Sequence, residues 1–116
     1  MINGNINSFL DTGWYTESTL FLNGYVYWFE ATTDNGITTF FVNRWQASLT
    51  DDAYYHSHID SNGDPIGFSN VLTIRNSDID LIKKQFLCSK IFDGKTFWDV
   101  EKSLVWVDEG APIVEQ

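Results

Sequence analysis

The run His56-Ser57-His58-Ile59-Asp60 places three metal-capable side chains at alternate positions. On a strand, alternate residues project to one face, so two imidazoles and a carboxylate converge there. That donor set suits zinc or iron, and three protein ligands plus one open position is the usual plan of a catalytic metal site. The chain has only two histidines. A short motif without structural context is weak, and the plainer reading is a polar strand face.

The same spacing superficially resembles the first ligand run of metallo-β-lactamase-like hydrolases and the paired histidines of cupins. The third imidazole is missing, the chain is too short for the former, and no second cupin motif follows. Asp60-Ser61-Asn62-Gly63-Asp64 looks like the start of a calcium loop. Pro65 then stands where glycine is needed and Val71 where a bidentate glutamate is needed, so a turn is expected. Nucleophilic catalysis finds no support. Cys88 lies in an apolar stretch and reads as a buried structural thiol. No Gly-x-Ser-x-Gly elbow and no Gly-rich loop with lysine is present. Asp51 and Asp52 are adjacent, so an extended backbone points them apart. They make a charged loop, not an acid–base couple. The expectation is a non-enzyme with no cofactor.

What remains is a density of aromatic rings beside acid. Tyr25, Tyr27 and Phe29 share one face of a strand, and Val26, Trp28 and Glu30 the other. Trp45 lies near Arg44 and the Asp51-Asp52 loop, which leads into Tyr54 and Tyr55. Tyrosine and tryptophan anchor many interfaces. Glu30, Asp34, Trp45, Asp51, Asp52, Tyr54, Tyr55, Asp60 and Asp64 are therefore the candidate partner-binding residues. Burial in a core is the competing expectation for each ring.

The elements that must position them follow from local signals. Residues Ile6 to Asp11 suggest a helical turn ending near Gly13. Thr19 to Leu22 and Tyr25 to Phe29 flank Asn23-Gly24, a strong hairpin signal. Asp34-Asn35-Gly36 precedes a third strand over Ile37 to Ala47. A fourth spans Tyr54 to Ile59, and the turn cluster 60–65 leads to a fifth over Ile66 to Ile74, with Ile66, Phe68, Leu72 and Ile74 on one face. Ser77 and Asp80 then resemble a capping box. Ile79, Ile82 and Phe86 recur at helical spacing, with Leu81, Cys88 and Phe92 on another side and Asp93-Gly94 as the stop. Thr96 and Asp99 make a second cap candidate, before Phe97, Val100 and Leu104 on one face. Residues 104–107 form a last short strand, and 108–116 a frayed acidic tail. Strands followed by helices imply an α+β fold. The expected form is an antiparallel sheet of about five to six strands with two C-terminal helices on one face. The single domain then divides into an N-terminal segment (1–18), a β-meander (19–75), helices with a last strand (77–107) and the tail.

A chain of 116 residues holds one such core. Its formal charge is −9. Residues 1–74 hold eight acids and one base, and residues 75–116 eight acids and six bases. That field repels nucleic acid and anionic membrane and attracts basic partners, although charge also serves plain solubility. One cysteine forms no intramolecular disulfide, which fits a reducing compartment. Met1 to Leu10 has neither a basic region nor a long apolar run, and no stretch reaches the roughly 18 apolar residues of a membrane span. A cytoplasmic protein is expected.

In overall character the chain resembles bacterial toxin-immunity proteins, such as those paired with contact-dependent growth-inhibition toxins. The stretches that prompt this are residues 24–31 (Gly-Tyr-Val-Tyr-Trp-Phe-Glu-Ala) and 96–101 (Thr-Phe-Trp-Asp-Val-Glu). Immunity families share no signature, so no family residue carries over. The resemblance implies a basic partner, a toxin nuclease domain whose phosphate-binding groove the carboxylates fill. A phage-encoded inhibitor of a host defence protein has the same physics. A full DNA mimic calls for a denser, more regular carboxylate array. From other classes come a metal-binding protein or metalloenzyme using His56, His58 and Asp60, and a structural subunit that buries spare aromatics by self-association.

Overall fold

The computed structural model describes residues 1–15 and 17–115 and, within the first helical turn, not the side chains of Thr12 and Gly13. Thr16, in the expected N-terminal segment, and Gln116, the last residue of the expected tail, lie outside the described residues. Strands β1 (Ser18–Leu22), β2 (Tyr25–Asp34), β3 (Ile37–Leu49), β4 (Tyr54–Ile59) and β5 (Ser69–Asn76) come first. Helices α2 (Ile79–Cys88) and α3 (Phe97–Val100) follow, then β6 (Val105–Trp106), β7 (Asp108–Glu109) and β8 (Ile113–Val114). A short α1 (Ile6–Ser8) runs into a π-turn (Phe9–Gly13) ahead of β1. The fold is mixed α+β and mostly sheet, with few, short helices.

Turn chemistry sets the first hairpins. Asn23 and Gly24 take φ of 51° and 84°, and Asn35 and Gly36 take 52° and 77°, the left-handed region that asparagine and glycine tolerate. β1 and β5 then pair antiparallel with opposite ends of the long β2–β3 ribbon: β1 with Tyr25–Phe29 of β2, β5 with residues 38–44 of β3.

The sheet has eight strands, not five or six, and is not purely antiparallel. β6 pairs with β1 (Leu20 opposite Trp106), while β7 and β8 pair parallel with β4. Only Val107 separates β6 from β7, and its N–H donates to Thr19 O at 3.0 Å. One continuous segment thus bridges the two ends of the run β1-β2-β3-β4 and curls it into a near-barrel. The described part of the expected frayed tail is docked on β4 and carries two short strands: Gly110 N donates to Tyr55 O at 2.8 Å and Glu115 N to Ile59 O at 2.7 Å.

The two sheet faces carry two cores. Leu20, Tyr27, Phe29, Phe40, Val42 and Ile74 face Ile82 and Phe86 of α2, Phe97 and Val100 of α3, and Phe9 and Trp14 of the N-terminal segment. Phe86 is the hub, with ring centroids 5.2 Å from Phe29, 5.5 Å from Phe97, 5.7 Å from Trp14 and 5.8 Å from Phe40. The opposite face closes on itself where the sheet curls: Val26, Ala47, Tyr55, Val105 and Val107 fill the near-barrel, with Phe21, Trp45 and Ala53 at its margin.

Several local expectations shift. The cap of α2 is Asp78, which accepts from Asp80 N at 2.9 Å, not Ser77. The helix ends at Cys88, and Ile91 and Phe92 enter the core from the following loop. α2 buries one face only. Cys88 lies about 200° round the helix from Phe86, so it is exposed, as is Leu81. In β5 a bulge opposite Val42 and Asn43 inserts one residue. Asn70 stitches it, its Nδ2 donating to Asn43 Oδ1 at 2.9 Å and its Oδ1 accepting from Thr73 Oγ1 at 3.0 Å. The inserted residue reverses side-chain alternation. Leu72 and Ile74 therefore face the helices, whereas Phe68 leaves their face and stacks on Trp45. The cap of α3 is as expected: Thr96 and Asp99 bond reciprocally, which holds the Asp99 carboxyl below its usual range through the Thr96 backbone N–H.

Candidate functional site: an acidic end of the near-barrel

β3 ends at Leu49 and a tight turn, 50–53, returns the chain into β4. Thr50 N donates to Tyr54 O at 2.8 Å, and Thr50 Oγ1 accepts from Tyr54 N at 3.1 Å. Ala53 takes the left-handed φ of 61°. These bonds hold Asp51 and Asp52 at the tip, both exposed. β7 docks against this turn. Asp108 N donates to Ala53 O at 3.1 Å, and Asp108 and Glu109 lie opposite Tyr54 and Tyr55. Neighbouring strands are about 4.8 Å apart, so the fold brings four acidic residues to one end of the barrel: Asp51, Asp52, Asp108 and Glu109. None has a salt-bridge partner among the described residues. Beside them Leu49 and Tyr54 are 40% and 46% exposed.

The ring under this end is fixed. Tyr55 is 4% exposed. Burial first, then the Glu109 charge, push its phenol up to about 12, against a hydrogen bond with Thr19. Tyr55 therefore supports the acidic end from inside and offers no surface of its own, contrary to its place among the expected contact residues. Trp45 is half-buried: its Nε1 donates to Ser57 Oγ at 2.8 Å and its ring stacks on Phe68 at 6.2 Å.

The nine expected contact residues do not converge. Asp34 sits at the opposite tip of the β2–β3 ribbon from Asp51; thirteen residues of β3 separate them, about 40 Å at strand rise. Glu30 lies midway along β2, and its Oε1 accepts from Ala31 N at 3.0 Å. Asp60 and Asp64 occupy the far end of β4, about 20 Å from Asp51 by the same rise. Asp60 Oδ1 accepts from Asn62 N at 2.9 Å and Asp64 N at 3.0 Å, which makes the expected turn. Asp51, Asp52 and Tyr54 are the part of the set that the fold brings together.

The histidines serve the same architecture. His56 Nδ1 bonds the Ala111 carbonyl. His58 lies 2.6 Å from Ser48 Oγ through Nε2 and 3.1 Å from Glu115 Oε1 through Nδ1. Both rings pin the C-terminal segment to β4, and Asp60 turns into its own loop. Among the described residues, no three His, Cys, Asp or Glu side chains are grouped to hold a metal ion.

Asp108 and Glu109 are the residues that sequence reasoning missed. Their signal was faint: a β-branched pair, Ile113-Val114, inside a tail with four acidic or amide side chains and a Gly-Ala-Pro run. The charge distribution is sharper in space than along the chain. Residues 75–104, the helical layer and its approaches, carry six basic and five acidic side chains; the rest carries one basic and eleven acidic. The single base outside that layer, Arg44, faces the helices through its bond to Asp93.

No family model matches the chain, and no curated protein or solved structure matches it either. Among the described residues, no helix is long and apolar enough to cross a membrane.

Proposed function

We propose that the protein is a binding module that docks a basic partner protein on the acidic end of its near-barrel. The observation that carries this reading is the placing of Asp51, Asp52, Asp108 and Glu109, none with an ion pair among the described residues, at one end of the near-barrel that also carries exposed Tyr54 and Leu49. Carboxylates without internal partners are free to meet external cations. Such a field speeds association, and a desolvated aromatic anchor slows release. The rigid hydrogen-bonded turn and the strand pairing beneath limit the ordering cost on docking. The arrangement suits an immunity protein that blocks the phosphate-binding groove of a toxin nuclease domain, since such a groove is basic. Nucleic acid and anionic membrane are repelled by the same field.

The test is affinity capture from the source organism, with identification by mass spectrometry. Wild type is compared with Asp51→Lys/Asp52→Lys/Asp108→Lys/Glu109→Lys. A basic protein retained by wild type and lost by the variant supports the reading. A basic protein retained equally by both, or none retained by either, rejects it.

A further inference from the structure

On the helical side, away from the acidic end, a cleft of about 520 Å³ opens between the start of β5 and the loop after α2. Arg44, Lys90 and Asp93 line it, with Ser69, Leu72 and Ile91 among the other lining residues. Two cations in one cleft stand out in a chain of net charge −9.

Arg44 is held in place by Tyr25, Tyr27 and Asp93. Its guanidinium lies over the Tyr25 ring, 4.2 Å from the centroid. One terminal nitrogen, Nη1, donates to Tyr27 Oη at 3.0 Å and to Asp93 Oδ1 at 2.8 Å. Nε and Nη2 have no hydrogen-bond partner among the described residues, which leaves an in-plane edge of the fork, the edge that takes a carboxylate or phosphate in bidentate fashion. Lys90 is exposed and has no ion pair among the described residues. The Ser69 hydroxyl adds a donor; that of Ser89 donates to Gln85 O at 2.6 Å and adds only shape. Leu72 and Ile91 supply an apolar wall. Asp93 shows that a carboxylate sits well beside Arg44, and with 58% of its side chain exposed it stands toward solvent.

We infer that this cleft binds a small organic anion, its carboxylate or phosphate held by Arg44, Lys90 and Ser69 and its apolar part against Leu72 and Ile91. Asp93 competes with the ligand for Arg44. This inference is independent of the basic-partner reading, which concerns another surface.

The test is a titration of the full chain, followed by backbone amide NMR, with phenyl phosphate, benzoate and inorganic phosphate. Saturable shifts confined to residue 44 and residues 69–72 and 89–94 are expected with phenyl phosphate or benzoate, and weaker ones with inorganic phosphate. Whichever organic anion binds more tightly identifies the head group. Asp93→Asn removes the competitor and tightens binding about two- to fivefold, the range of an exposed ion pair. Lys90→Glu leaves the Arg44 bonds intact and weakens binding about tenfold, since it replaces attraction with repulsion. Shifts spread over the whole surface, no saturation with either organic anion, or unchanged or weaker binding in Asp93→Asn overturns the proposal.

Discussion

Gly110 donates its backbone N–H to the Tyr55 carbonyl at 2.8 Å, and the C-terminal segment passes close enough to β4 there that a side chain is a tight fit. A Cβ on Gly110 lies 3.3 Å from His56 Nε2 and 3.4 Å from Tyr55 O. His56 cannot swing away freely, because its other ring nitrogen bonds the Ala111 carbonyl. The glycine is thus the point at which the C-terminal segment locks onto β4 and brings Asp108 and Glu109 beside the Asp51-Asp52 turn.

Gly110→Val tests that lock. The branched side chain pushes the His56 ring off Ala111, and overpacking of this kind costs about 1–3 kcal/mol. A lower thermal midpoint with faster amide exchange at residues 108–115 is expected. Unchanged exchange there contradicts the close packing.

Tyr55 gives a pH test. Its folded value of about 12 stands above the ordinary 10.0, so the folded state holds the phenolic proton more tightly than the unfolded state. The resulting stability is fully present below pH 10 and is lost as the pH rises toward 12. Tyr27, raised mainly by burial, acts in the same direction. Denaturant midpoints measured from pH 8 to about 12 fall at the alkaline end, and Tyr55→Phe flattens that fall while lowering the neutral plateau through loss of the Thr19 bond. An alkaline fall as steep in Tyr55→Phe as in wild type contradicts the assignment.

Phe86→Ala tests the hub of the larger core. Four rings lose a partner at once, and a phenylalanine truncation in a packed core costs about 3–5 kcal/mol, a large fraction of the stability of a small domain. Leu81→Ala, on the exposed side of the same helix, changes the midpoint little. Equal losses for the two substitutions contradict the one-sided burial of α2.

How much of this was legible in the sequence depended on how local the cause was. The Asn23-Gly24 hairpin, the Asn35-Gly36 turn and the Thr96–Asp99 box were readable because each is fixed within four residues. Closure of the near-barrel was not. It rests on Val107, Gly110 and Glu115 meeting Thr19, Tyr55 and Ile59, pairings distant in sequence and made by two-residue strands too short to show alternation. Phe68 was misassigned for a related reason: a bulge at the Val42–Asn43 register reverses alternation without changing composition. The acids were visible as a charge excess in the first two thirds. Their grouping was not, because half of the group comes from a segment whose polar composition reads as a loose end.

The most direct test of the acidic end compares two charge reversals, each measured by calorimetry against the captured basic protein at low and physiological salt. Asp51→Lys/Asp52→Lys/Asp108→Lys/Glu109→Lys is expected to weaken binding about 100-fold or more and to abolish most of its salt dependence. Asp34→Lys/Asp60→Lys/Asp64→Lys, distant from that end, is expected to stay within about threefold, as rim and remote charges affect affinity little. Equal losses in the two variants, or a larger loss in the second, would contradict a partner seated on the turn and strand that Gly110 and Tyr55 hold together.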